Sequence, residues 1–268
     1  MGRSHAIFVA VISLAATYVS ATPALIQSGP EAQGLLESAR TAMGGSEKLD
    51  AIKSVTFTGR ERFLNPGVRM GGPRSPKYVD NEIKIQILLP DHYLRVVTRL
   101  GMSQRTTVGI SGGRVFGTQA SSTKPVWQRE NMGRLLLCLL LRVDSVYTLS
   151  LAGREGNVLR FVAPDKTVLS LELDEQTKLP KLLTFSAEFQ ATAASVAGRK
   201  QAVAIEISEY RLVGDLRLPH RLVERTEVIT KGIDFDAIVL DPPLTPSDFR
   251  GERVQDMLKH LQQLATAR

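Results

Sequence analysis

Residues 82 to 100 read EIKIQILLPDHYLRVVTRL. Ile83, Ile85, Ile87 and Leu89 alternate with their neighbours at a period of two, the spacing of a strand that buries one face. Pro90 and Asp91 then interrupt the chain as turn formers do, and HYLRVVTRL resumes strand composition. Two strands joined by so short a turn must be antiparallel, because a parallel neighbour needs a long crossover.

The same alternation continues in both directions. SVYTLSL, NVLRFVA, TVLSLEL, KLLTFSAEF, AVAIEIS, HRLVERTEVI and FDAIVL are strand-like, and Gly156-Asn157, Gly214-Asp215 and Lys231-Gly232 separate some of them as turn signals. About ten or eleven short strands with short connections predict a mainly β chain with an antiparallel sheet, apolar on one face and in need of a cover there. Upstream, Ala32, Leu35, Leu36, Ala39, Ala42 and Met43 share one helical face behind Pro30, and Gly44-Gly45 ends that helix. Ser46 starts a short second helix through Leu49 and Ile52. Strand pattern begins at Ser54, with Val55, Phe57 and Phe63 on one side.

The N-terminus carries Arg3, the 16-residue apolar run AIFVAVISLAATYVSA and the small-residue site Val19-Ser20-Ala21. This pattern reads as a secretory signal peptide over residues 1–21, cleaved after Ala21 in preference to being kept as an anchor. Residues 22–268 then form one domain in the exported compartment, the periplasm for a bacterium. Cys138 is the sole cysteine, so an intramolecular disulfide is excluded. The net charge is +7 over the whole chain, and its basic residues are scattered. With aromatics at 6% and no basic patch interleaved with them, nucleic-acid binding is not expected. His92, His220 and His260 lack ligand spacing, so no metal is expected, and each reads as a surface or locally hydrogen-bonded residue.

GISGG at 109–113 matches the G-x-S-x-G nucleophile elbow, which would make Ser111 catalytic with Asp165 or Asp174 and His220. An elbow needs a helix after the serine. Val115 and Phe116 are β-formers instead, so a hairpin through Ser-Gly-Gly is the preferred reading and a serine hydrolase ranks third among the functions. No catalytic residue and no cofactor is assigned.

Residues 124–143, KPVWQRENMGRLLLCLLLRV, contain the seven-residue stretch Leu135–Leu141, apolar on every side. A helix of this kind has no face for solvent. Either it is sandwiched in the core, or one of its sides lines a cavity for something greasy.

MGGSEKLDAIKSVTFTGR, ILLPDHYLRVVTR, KLPKLLTF, EYRLVGDLRLPHRLVER and IVLDPPLTPSDF together resemble the periplasmic outer-membrane lipoprotein-sorting proteins, the LolA-like carriers, in their longer form. The resemblance spans most of residues 30–250. It implies a curved antiparallel half-barrel with helices on its concave face, and a carrier that holds acyl chains of lipoproteins or lipids between sheet and helices. It also implies an envelope protein partner and no stable membrane span once the signal is removed. The hydrophobic binding residues on this reading are Phe57, Ile83, Ile85, Ile87, Leu135, Leu136, Leu139 and Leu140, with Arg60 or Arg95 as the latch of a lid. Leu-Pro-His at 218–220 belongs to this pattern as the start of a strand after a turn. A non-carrier envelope-assembly or binding module on the same fold is the second reading.

Overall fold

The computed structural model describes residues 29–64, 78–101, 105–119, 125–143, 147–152, 156–163, 166–188, 200–227 and 229–249. The signal segment, Asp165 and His260 lie outside the described residues. Among those described, twelve strands form one sheet. β1 (Ser54–Leu64), β2 (Tyr78–Leu88), β3 (His92–Arg99), β4 (Arg105–Ser111) and β5 (Arg114–Phe116) make a first meander. β6 (Thr148–Ala152), β7 (Val158–Val162), β8 (Val168–Leu173), β9 (Pro180–Glu188), β10 (Lys200–Val213), β11 (Leu216–Arg225) and β12 (Thr230–Leu240) make a second. Antiparallel pairing of β1 with β12 joins the two, so the order is β5-β4-β3-β2-β1-β12-β11-β10-β9-β8-β7-β6. The sheet is curved and open, with β5 and β6 at its edges, as the half-barrel expectation requires.

The alternation of the opening stretch holds in three dimensions: Ile83, Ile85 and Ile87 are all buried on the concave face, while Lys84 and Gln86 point away. Two details differ from the sequence expectation. HRLVERTEVI is not one strand, because the chain turns at Thr226–Ile229, where the Ile229 carbonyl accepts from the Thr226 N–H at 2.9 Å. Lys231 and Gly232, expected in a turn, pair with Glu224 and Val223 inside β12, where the neighbouring ladders override the local turn propensity.

Among the described residues three helices cover the concave face: α1 (Pro30–Ala42), α2 (Ser46–Ala51) and α3 (Pro125–Leu140). α1 buries Ala32, Leu36 and Ala39, the apolar stripe of its sequence, and lies against β6 and β7. α3 follows edge strand β5 and precedes edge strand β6, so it crosses the concavity from one edge to the other. Leu137, Leu139 and Leu140 are at most 2% exposed within one continuous core that joins helices and sheet. The crossing ends at Leu141, whose φ is 48°; Arg142 then donates from its guanidinium to the Ile52 carbonyl at 2.7 Å, tying α3 to the end of α2. A second, smaller cluster of Leu94, Val96 and Phe249 packs on the convex face, where the 3-10 turn Pro246–Phe249 lies over β3 and β4.

The junction of the two meanders contains a β-bulge. Thr58 pairs with Ala237 and Gly59 with Phe235, leaving Asp236 as the extra residue of β12. A Cβ on Gly59 would stand 2.1 Å from the Asp234 carbonyl oxygen and 2.8 Å from the Phe235 Cα, so backbone itself fills the space. Bulges bend a sheet and increase its twist, which suits a strand pair at the centre of a curved one.

Gly59→Ala should therefore lower stability by about 2–3 kcal/mol, the usual cost of overpacking. Gly34, exposed within α1 with nothing near its would-be Cβ, should behave oppositely. Gly34→Ala should raise stability by about 0.5–1 kcal/mol through helix propensity. Urea denaturation of the two variants checks both signs.

Candidate functional site: a cleft between the crossing helix and the sheet

The two faces of α3 differ. Met132, Leu136, Leu139 and Leu140 enter the core. Glu130, Arg134 and Cys138, one turn apart from each other, share the other face with Asn131 and Leu135 and border a cleft of about 290 Å³. The sheet supplies its floor through Ile85, Tyr93, Phe185, Ile205, Leu222 and Ile233. Each comes from a strand whose alternate residues face the concavity: Ile85 pairs with Arg95, Leu222 with Ile233, and Phe185 stands beside Val203.

Charged side chains ring this apolar floor. Arg95 is ion-paired with Glu61, which also accepts a hydrogen bond from the Asn81 amide at 3.3 Å. Burial pushes the Glu61 carboxyl up, but Arg95, Lys231 and these hydrogen bonds outweigh it and hold the group below its ordinary value of 4.5. Lys231 reaches Glu224 across the β11–β12 ladder at 2.6 Å. Arg134 donates to Glu130 at 2.6 Å and lies over the Phe185 ring, 4.3 Å from its centroid.

The expected binding residues divide between cleft and core. Ile85 and Leu135 line the cleft; Phe57, Ile83, Ile87, Leu136, Leu139 and Leu140 are buried and do not. Of the two candidate latch residues, Arg95 is at the cleft, whereas Arg60 is exposed on the convex face beside Glu82 and Lys84. Arg134, Phe185, Ile205 and Leu222 belong to the cleft but not to the residues expected there. The inward orientation of Phe185, Ile205 and Leu222 is readable from strand alternation, whereas Arg134 belongs to α3. Their adjacency depends on which strands are neighbours.

Ser111 closes the β4–β5 hairpin, pairing with Arg114, and Gly112 and Gly113 take φ of 53° and 80° in the turn. Strand β5 follows the turn where an elbow needs a helix, so the elbow geometry is absent and the set with Asp174 and His220 is not assembled. The Asp174 carboxylate instead accepts from the Thr177 N–H and hydroxyl, both at 2.8 Å. His220 is buried, and its Nδ1 is 2.7 Å from the Phe235 carbonyl oxygen; an oxygen that can only accept fixes the proton on Nδ1. Ser111 Oγ is 2.9 Å from His92 Nδ1, and His92 Nε2 is 3.3 Å from Asp91, on the convex side where the His92 ring packs on Phe249. That trio links β3, β4 and the 3-10 turn away from the cleft.

Within the cleft, burial pushes the Cys138 thiol up to about 12 and the Tyr93 phenol up to about 12, so neither is a nucleophile or base at neutral pH. Among the described residues no His, Cys, Asp and Glu group is arranged to hold a metal ion, and no helix is long and apolar enough to cross a membrane. The cleft thus has an apolar floor and a charged border.

No protein-family model matches this sequence, and no curated protein matches it either. Solved structures do. A LolA superfamily protein, NE2245 from Nitrosomonas europaea, superposes with a TM-score of 0.54 at 12% identity, over 84% of this chain and 100% of that one. An outer membrane lipoprotein-sorting protein domain assigned in Vibrio parahaemolyticus gives 0.48 at 12% identity, covering 82% and 98%. A DUF1329 family protein from Desulfovibrio piger gives 0.44 at 9% identity, covering 84% and 99%. At these identities the likeness is one of fold, and the first of the three establishes that this chain has a LolA-like fold.

Two outcomes follow from this geometry. Glu61→Gln should lower stability at neutral pH by about 3 kcal/mol, because Arg95 loses its buried counter-charge. A carboxyl whose pKa is depressed by folding contributes fully above its unfolded value of 4.5 and loses that contribution as pH falls through the folded value. The gap between wild type and variant should thus be widest near neutrality and close below pH 4.5, measured by urea melts across pH. Ser111→Ala should cost about 1 kcal/mol for one hydrogen bond, leave ligand binding unchanged, and a fluorophosphonate probe should not label Ser111 in the wild type.

Proposed function

We propose that the protein binds an acyl chain of a lipid or lipoprotein in this cleft and carries it through the exported compartment. The observation that carries the reading is the space of about 290 Å³ left between α3 and the apolar floor of Ile85, Phe185, Ile205, Leu222 and Ile233. Transfer of each methylene from water to such a surface is worth about 0.8 kcal/mol, so binding needs an apolar lining and no reacting group. The volume, about 290 Å³, lies near the lower bound of small-molecule sites.

The border of ion pairs suits a carrier. Charged groups stay at the mouth and hold Arg95, Lys231 and Arg134 in place, while the ligand is gripped by contacts that are individually weak and can be given up. Export through the N-terminal segment of residues 1–21 and action in the periplasm complete the proposal, with a receiving envelope protein as partner. The LolA-like fold, established by the superposition on a LolA superfamily protein, supports the same reading.

The test separates cleft from scaffold on one helix. Leu135 is half-buried at the cleft, and Leu139 is 1% exposed in the core. Leu135→Trp should leave the thermal melt within a few degrees of wild type and remove copurifying lipid detected by native mass spectrometry. Leu139→Glu should abolish folding through an unpaired buried carboxylate. Lipid retained undiminished by folded Leu135→Trp would place the acyl chain outside this cleft and refute the proposal.

A further inference from the structure

We infer that the cleft selects a single-chain amphiphile with an anionic head, and that Arg134 is the residue that receives the head. The inference rests on the apolar-ligand reading above and narrows it. Among the described residues three cations border the cleft, and they are not equivalent. Arg95 is committed to Glu61, a carboxylate 4% exposed behind it, with Asn81 completing the pair. Lys231 is committed to Glu224, its partner across the ladder. Arg134 projects from the middle of α3 with its side chain only 14% exposed, yet its partner Glu130 sits nearer solvent at 34%.

Arg134 also has donors left. A guanidinium carries five N–H groups. Its Nη2 donates to Glu130, and its Nη1 donates to Asn131 Oδ1 at 3.2 Å. One planar face rests on Phe185, which fixes the orientation of the group without using its in-plane donors. Burial holds the Arg134 pKa below the ordinary arginine range, and the attraction of Glu130 does not make up the difference. The charge is thus under-compensated where it stands. A carboxylate or phosphate oxygen brought beside it would supply the missing counter-charge.

The tail then has one place to go. Phe185 lies directly under the guanidinium, and Leu135, Ile205 and Leu222 continue the apolar surface from it. A cleft of about 290 Å³ accommodates one aliphatic chain in place of the several chains of a diacyl or triacyl lipid. Glu130 and Glu224 also border the cleft. Both are already paired, with Arg134 and Lys231, so the head must share Arg134 with Glu130.

Isothermal titration of the folded protein with dodecanoate, its methyl ester and dodecyl phosphate, each below its micelle concentration, tests this. At least one of the two anions should bind about tenfold more tightly than the ester, the worth of one charge-assisted hydrogen bond. The tighter of the two anions identifies the head as fatty-acid-like or as that of a phosphorylated lipid, and either supports the inference. Arg134→Gln should abolish the preference, read as the ratio of anion to ester affinity within the variant, and Arg134→Lys should restore part of it. Equal binding of anions and ester to the wild type would overturn the anionic selection and leave the apolar-ligand reading standing. A preference that survives in Arg134→Gln would overturn the role of Arg134. Binding of none of the three would overturn both readings together. The wild-type comparison stands by itself if Arg134→Gln does not fold.

Discussion

Between Phe116 and Thr148 the chain must pass from one edge of a twelve-stranded sheet to the other. Eleven strand spacings laid flat would span about 50 Å, whereas the sixteen residues of α3 rise only about 24 Å. The sheet is curved, and the crossing helix runs through its concavity. A helix in that position has sheet around it and little solvent. That is the physical reason for the unbroken apolar run from Leu135 to Leu141, and it fixes where an internal space can remain.

The curl has its own local causes at the centre of the sheet. Gly59 and the extra residue Asp236 bend the β1–β12 pair, and the Phe57 and Phe235 rings, 5.2 Å apart between centroids, pack beneath that bend. Beside them the β11–β12 ladder ends at Arg221, next to Pro219 and His220. Pro219 has no N–H to extend a ladder, and the His220 imidazole donates to the Phe235 carbonyl in place of a backbone partner. Strand β12 is thus released from β11 while it continues along β1. Glu61 stands on β1, two residues along from Gly59, and pairs with Arg95 of β3 at the border between the packed core and the cleft.

The cleft is what the crossing helix leaves uncovered. Its core side, Met132, Leu136, Leu139 and Leu140, is consumed by packing, so the other side must carry whatever the site uses. There the residues are mixed: Glu130, Asn131 and Arg134 give way to Leu135 and Cys138. An apolar floor there meets a charged helical wall. The reacting groups considered for the chain are elsewhere or inert: Ser111 and His92 are on the convex face, and Cys138 keeps its proton.

Alternation of Ile83, Ile85 and Ile87, the glycines after Ser111 and the all-round apolar stretch at Leu135–Leu141 made strands, hairpin and buried helix legible, because each depends on residues close in sequence. The same locality misread Lys231-Gly232 as a turn, where ladders to β1 and β11 hold the chain extended. It also left open which leucines of α3 meet a ligand and which of Arg60 and Arg95 faces inward. Arg60 and Arg95 both sit in amphipathic strands, and only the register of β1 against β2 and of β2 against β3 decides that Glu61, Ile85 and Arg95 share a face. Periodicity determined the sheet, its antiparallel sense and the need for an apolar cover. The pairing of the first strand with the last, the neighbourhood of Phe185, Leu222 and Arg134, and the space between them were decided by tertiary structure, because they join residues far apart in the chain whose proximity no local pattern encodes.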